Sequence, residues 1–181
     1  MWYLALLRGI NVGGKNIIPM ADLRRLFERL GCTDVTTYIQ SGNVVFGSRL
    51  KKAANLCLSL EEALEREFAC KSYVVVVPQV QLDAVVNHAP TAFGAEPGRF
   101  KYDVAFVRPP LEARAILPAI SLKAGVDQAA EDNGVLYFTR LTARASQSYL
   151  SKITRLDAYQ SMTIRNWNTT RALLRLVGTA G

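Results

Sequence analysis

The 181-residue sequence carries one histidine, His88, and three cysteines, Cys32, Cys57 and Cys70. That scarcity removes several chemistries at once. An odd number of widely spaced cysteines with no C-x-x-C offers neither a disulfide framework nor a zinc clip, and no metal site is expected. Cys57 falls in phase with Leu50, Leu60, Leu64 and Phe68 on a helix, which makes it a core filler. His88 precedes Ala89-Pro90 at a helix end, a cap-region position rather than that of a general base. The sequence has no G-x-S-x-G, no H-E-x-x-H and no Cys-His signature. It also lacks an apolar run near the ~18 to 20 residues that span a bilayer. The opening "MWYLALL" is too short for a secretory signal and has no basic flank. A soluble, cytoplasmic protein with no membrane partner is expected.

What is present is an uneven positive charge. The net charge is +7. Residues 140–181 hold Arg140, Arg144, Lys152, Arg155, Arg165, Arg171 and Arg175 against Asp157 alone, so nearly the whole excess lies in that third. Such asymmetry points either to an anionic partner or to a solvated basic face.

The elements alternate. Strand Trp2–Leu7 is followed by a helix that Pro19 opens and Gly31 closes, with Met20, Leu23, Leu26, Phe27 and Leu30 as its apolar stripe. The runs "DVTTYIQ" and "NVVFG", joined across Ser41-Gly42, read as a hairpin. A helix over about 50–69 and the strand "SYVVVV" complete a β-α-β-β-α-β order. A short helix ("QLDAVVNHA") and a Pro/Gly-rich connection lead to a second run of the same order. Its members are strand "YDVAFV", helix "LEARAILPAI", strands near "VDQAAE" and "VLYFTRL" around Asp132-Asn133-Gly134, a helix over 146–158, strand "SMTI" and a final helix. The predicted fold is α+β, with two tandem ferredoxin-like subdomains over 1–78 and 99–181, antiparallel sheets and a connecting segment 79–98.

In a split β-α-β unit the first two strands are parallel with the third between them. The Gly9–Lys15 loop and the Gln40-Ser41-Gly42-Asn43 turn then share one rim, with Lys71 and Ser72 close by. Read from Gly9, the loop spells G-I-N-V-G-G-K-N, short of a Walker loop only by its last letter. Asn16 stands where the Mg²⁺-binding hydroxyl belongs, and Pro19 falls where the first helical turns would be. No strand ends in the needed Asp, and the sheet is antiparallel, so a P-loop NTPase is not expected. Gly9, Gly13 and Gly14 can still turn backbone N–H groups inward as an anion nest, with Arg8, Asn11 and Lys15 beside them.

A second candidate is "MTIRNWNTTRALLRL". Asn166 or Asn168 can cap the last helix beside Arg165, while Trp167 offers either a flat ligand platform or a core anchor. A hydrolase built from Lys15, Ser41 and Asn43 is the enzymatic alternative. Nucleic acid is the other alternative, held by the basic C-terminal third, because the aromatic pattern of an RNA-binding sheet is missing and "WYLALL" and "YVVVV" are apolar on both faces.

"LLRGINVGGKN" with "PMADLRRL", then "TYIQSGNVVF", then "MTIRNWNT", resembles in order and spacing the bacterial domain of unknown function 1697 family, over essentially the whole chain. The resemblance implies a duplicated α+β fold and marks Arg8–Asn16, Gln40–Asn43 and Arg165–Thr169 as signature segments; it implies no particular reaction. The reading is therefore of a protein that binds a small anionic or phosphorylated ligand, without cofactor, through Arg8, Gly9, Asn11, Gly13, Gly14, Lys15, Gln40, Ser41, Asn43, Arg165, Asn166, Trp167 and Asn168.

Overall fold

A computed structural model describes residues 1–50 and 53–179. The chain is α+β and divides into two compact units, Met1–Leu82 with the end of the last helix from Ala172, and Asp83–Arg171. Each unit contains a four-stranded antiparallel sheet. Among the described residues no helix is long and apolar enough to cross a membrane.

The first unit contains β1 (Trp2–Arg8), α1 (Met20–Arg29), β2 (Thr33–Tyr38), β3 (Asn43–Gly47), α2 (Ala53–Phe68) and β4 (Tyr73–Pro78), in the sheet order β2-β3-β1-β4. β3 lies between β1 and β2 and is antiparallel to both, so β1 and β2 run parallel. α1 starts where Pro19, extended at φ −58° and ψ 136°, breaks the preceding loop. It ends in a Schellman turn: Gly31, at φ +79°, donates its N–H to Glu28 O, and Cys32 donates to Phe27 O. Leu23, Leu26 and Phe27 of α1 pack with Leu56, Cys57, Leu60 and Leu64 of α2 against Tyr3, Ala5, Val44 and Phe46 of the sheet. Cys57 is thus the core filler that its phase indicates. Glu61 on α2 is engaged rather than solvated, because its Oε1 accepts the Val74 N–H at 2.8 Å and occupies a donor of an edge strand.

α3 (Gln79–Asn87) spans the boundary between the units, and His88 follows it, exposed, donating its N–H to Ala84 O. The second unit then contains β5 (Phe100–Val107), α4 (Ala113–Ile116), β6 (Asp127–Asp132), β7 (Val135–Leu141) and β8 (Met162–Asn166), and α5 (Trp167–Thr179) follows. Its sheet order, β6-β7-β5-β8, repeats that of the first. Asn133 (φ +53°) and Gly134 (φ +75°) form the two-residue β6–β7 turn that Asn-Gly predicts.

Two helices depart from the sequence expectation. The predicted helix "LEARAILPAI" keeps only the four residues of α4 before a 3-10 turn over Leu117–Ala119, because Pro118 has no N–H to extend it. The predicted helix over 146–158 is absent. Short 3-10 segments, Thr142–Gln147, Leu150–Arg155 and Asp157–Ser161, take its place. The residues facing the core are Leu150, Ile153, Leu156 and Tyr159, spaced by three, which is the repeat of a 3-10 helix rather than the 3.6 of an α-helix.

Candidate functional site

The end of β1 shows how the sequence builds its loop. Gly13 and Gly14 both have positive φ, +58° and +73°, which is the requirement of a type I′ turn, and Lys15 donates its N–H to Val12 O at 3.1 Å. One step down, Asn11 N–H reaches Asn16 O at 3.0 Å. Asn11 and Asn16 are themselves left-handed, at φ +52° and +50°, a conformation asparagine tolerates. Their side chains sew the base of this small hairpin. Asn11 accepts the Ile18 N–H on Oδ1 at 2.8 Å and donates from Nδ2 to Ile18 O at 3.1 Å, while Asn16 Nδ2 donates to Gly9 O at 2.8 Å.

The amides of Asn11 and Lys15 are therefore used within the loop. Those of Gly13 and Gly14 make no hydrogen bond among the described residues. Residues 12–17 are exposed, so the tip carries two free N–H groups beside the Lys15 ammonium. Helix α1 begins five residues after Lys15, at Met20, not directly as in a Walker loop.

The other rim segments lie against this loop. Leu7 donates its N–H to Gly42 O at 2.7 Å, and a Cβ on Gly42 would lie 2.9 Å from Leu7 Cβ and 3.0 Å from Ile10 Cγ1. Only glycine allows that approach. Asn43 is fully buried; its Nδ2 donates to Tyr38 O and Ser41 Oγ, so it shapes the turn and leaves Gln40 and Ser41 as the exposed polar groups. On the other side Ser72 Oγ donates to Arg8 O at 2.8 Å, and the Arg8 guanidinium sits 5.5 Å from the Tyr73 ring centroid. The predicted convergence of Arg8–Lys15, Gln40–Asn43 and Lys71-Ser72 on one rim is what the strand register produces. Lys71 makes an exposed 3.5 Å pair with Glu65, which contributes little.

Two features of the rim are not legible from the motifs. Tyr73 supports Arg8 from beneath. Ile39, half-exposed, holds φ +48°, a strained conformation for a β-branched side chain.

In the second unit the segment after β8 is a capped helix start. Asn166 Oδ1 accepts the Asn168 N–H at 2.9 Å, so Asn166 is the capping residue and Asn168 lies in the first turn. Trp167 is 7% exposed and meets Phe93 edge-to-face at 5.1 Å, so its ring is packed into the protein and offers no open platform. Arg165 donates from Nη1 to Thr163 Oγ1 at 2.8 Å and to Ile164 O at 3.0 Å. Burial pulls its pKa down to about 10, which leaves it a cation at neutral pH.

All three cysteines are buried, and desolvation raises Cys32 to about 11 and also raises Cys70, so the thiols of Cys32 and Cys70 stay protonated at neutral pH. Among the described residues no group of three or more His, Cys, Asp or Glu side chains is placed to hold a metal ion.

Comparison with solved structures finds the conserved bacterial protein SP0830 from Streptococcus pneumoniae, 26% identical, with a TM-score of 0.84 over 97% of this chain and 98% of that one. No curated protein matches. Residues 1–137 match the family described as Protein of unknown function (DUF1697). The glycine-rich hairpin, the Gln40–Asn43 turn and the first sheet that joins them all fall within that match, and the chain belongs to the DUF1697 family.

Proposed function

We propose that the chain binds a small anionic, phosphate-bearing ligand at the rim of the first sheet, and that both units are ferredoxin-like scaffolds, the second with 3-10 segments in place of the helix between β7 and β8. The observation that carries the reading is the hairpin tip, where the unused amides of Gly13 and Gly14 stand beside the exposed Lys15. Arg8, steadied on Tyr73, supplies a second cation on the same rim. Gln40 and Ser41 supply neutral donors. The chemistry of the rim is that of recognition: its three segments hold cations and hydroxyls and no histidine or carboxylate of their own, and the Glu65 carboxylate that reaches it is paired with Lys71.

Nucleic acid is the second reading, favoured by Arg171 and Arg175, which are both exposed and one helical turn apart on α5. One titration series separates the two. Inorganic phosphate, phosphoserine and a nucleoside monophosphate are each added to the full chain while amide resonances are followed, and a short duplex is titrated at low and physiological salt. Lys15→Ala is expected to weaken the phosphate probes by roughly tenfold or more, the weight of one charge-assisted contact, while Arg171→Ala and Arg175→Ala leave them unchanged. Phosphate probes that leave residues 9–16 unshifted, or a duplex bound tighter than about micromolar at physiological salt, overturn the small-ligand reading.

A further inference from the structure

The second unit holds a cavity of about 190 Å³ between its sheet and the 3-10 segments that cover it. Phe138, Leu150, Ile153 and Ile164 give it apolar walls, and Asp103 and Arg140 bring a charged pair to the same lining. It is built from the second unit alone and does not depend on the anion site proposed above. We propose that this cavity binds a free amino acid with an apolar side chain, its carboxylate on Arg140 and its ammonium on Asp103.

The strand register sets the order of the groups on the cavity floor. Arg140 lies level with Lys101, Phe138 with Asp103, and Ile164 with Ala105, so the floor passes from charged to apolar along β5. A ligand that fits it has a polar head and an apolar body. An apolar cavity of ~150 Å³ accepts benzene, so this one limits the apolar body to about that size. Ile164 and Tyr159 both line the cavity and both stay half-buried, which leaves apolar surface for a ligand side chain to cover.

The charged end needs both signs from its ligand. Arg140 Nη2 and Asp103 Oδ2 are 3.5 Å apart, well beyond the ~2.7 to 2.9 Å of a well-made charge-assisted bond, although their side chains are only 28% and 22% exposed. Each therefore has capacity to spare. Arg140 Nε is buried and meets no hydrogen-bond acceptor among the described residues, a donor that a carboxylate would satisfy. Arg140 also acts on two carboxylates, Asp103 and its register partner Asp127 on β6, and one guanidinium does not balance both. The further cation felt by Asp103, Lys101, is exposed. Burial pushes the Asp103 carboxyl up despite these cations, so an ammonium seated there restores what desolvation removes. A carboxylate alone would add a third negative charge, and an amine alone would leave Nε without an acceptor. An α-amino acid carries both groups on one carbon.

The roof of the cavity is pinned by the same cluster. Asp127 Oδ2 accepts the Tyr149 N–H at 2.7 Å, which fixes the start of the segment that supplies Leu150 and Ile153. Within that segment Thr154 Oγ1 donates to Ser151 O at 3.0 Å and closes the turn. The carboxylate that flanks Arg140 thus also sets the height of the cover.

The test uses leucine, isocaproate, which is leucine without its ammonium, isoamylamine, which is leucine without its carboxylate, and glycine, each titrated into the full chain while amide resonances are followed. Leucine is expected to shift residues 103, 138–140, 150–154 and 164 and to bind about tenfold more tightly than any of the other three, the weight of one charge-assisted contact or one buried side chain. Asp103→Asn keeps the shape of the site and is expected to abolish the preference for leucine over isocaproate; Arg140→Gln is expected to abolish the preference for leucine over isoamylamine. If Arg140→Gln does not fold, Asp103→Asn alone carries the comparison. Isocaproate, isoamylamine or glycine binding as tightly as leucine, a preference for leucine over isocaproate that survives Asp103→Asn, or no shift of these residues at the highest soluble leucine concentration overturns the proposal.

Discussion

The two units share one strand order and are covered in different ways. In the first, α1 and α2, of 10 and 16 residues, lay continuous apolar stripes on the sheet. In the second, the four-residue α4 and a chain of 3-10 segments serve the equivalent core of Ala105, Leu136, Phe138, Leu150, Ile153 and Met162. The difference shows that the strand order follows from the strands and their turns, while the covering layer needs only apolar residues at the right spacing. Regular helices supply hydrogen-bond cooperativity and a denser cover, and a sheet retains its order without them.

The largest expected effect tests that density. Leu60→Ala in α2, where Leu60 is almost fully buried, should destabilise the protein by about 2–5 kcal/mol. Ile153→Ala, in a 3-10 segment that can collapse onto the vacated space, should fall at or below the lower end of that range. Chemical denaturation of both variants measures the difference. Equal losses would show that the irregular cover packs as tightly as the helical one.

Next come two glycines, one in each unit. Gly42→Ala and Gly94→Ala place a methyl group where φ is positive and space is absent, at 2.9 Å from Leu7 O and 2.3 Å from the Trp167 indole. Backbone strain alone is worth about 1–3 kcal/mol, and contact with a rigid ring should make Gly94→Ala the worse of the two. Gly14→Ala has the strain and no clash, since nothing lies within 4 Å, so it should be the mildest. Thermal melts rank the three.

A smaller effect depends on pH. Desolvation acts to raise Asp127, but hydrogen bonds from Ser148 and from the N–H groups of Lys123 and Tyr149, with the nearby charge of Arg140, hold its pKa below the ordinary value. A depressed carboxylate contributes stability above its unfolded pKa and loses it as pH falls through the folded one. Asp127→Asn should therefore cost roughly 1.5–3 kcal/mol near neutrality, and the gap from the parent should close at acid pH. Asp103 on β5 has the opposite sign. Desolvation raises it despite Arg140, so its ionised form opposes folding and the cost is relieved on acidification. The smallest change expected is Asn166→Ala, which removes the cap of α5 at a cost of about 1 kcal/mol.

Periodicity and turn chemistry explain which parts of this architecture can be read from the sequence. Pro19, Gly31 and Asn133-Gly134 each demand a particular backbone geometry, and each marks an observed boundary. The segment 142–161 misleads because Tyr149, Ile153 and Leu156 fit an α-helical stripe as well as Leu150, Ile153, Leu156 and Tyr159 fit a 3-10 one; only packing decides between the two periods. At the rim, topology brings the segments together from their order alone, whereas the division of labour within them depends on side-chain direction. Asn11 and Asn43 look like ligand-facing amides in sequence and in the structure bind their own backbone. The aromatic cluster of the second unit gives no linear signal, because Phe93 lies in the loop before β5 and packs on Tyr102 and Tyr137, which the pairing of β5 with β7 brings to one face.

The amide clasp between Asn11 and Ile18 separates the loop into a base and a tip. The base is fixed to the fold, since Asn16 and Gly9 close it and Gly42 sits against it, while Val12 to Lys15 project beyond it into solvent. Four residues on such a mount form an exchangeable cartridge, whose side chains touch solvent and not the scaffold beneath. Grafting a foreign four-residue I′ tip between Asn11 and Asn16 should therefore leave the fold unchanged while altering the binding proposed for that tip.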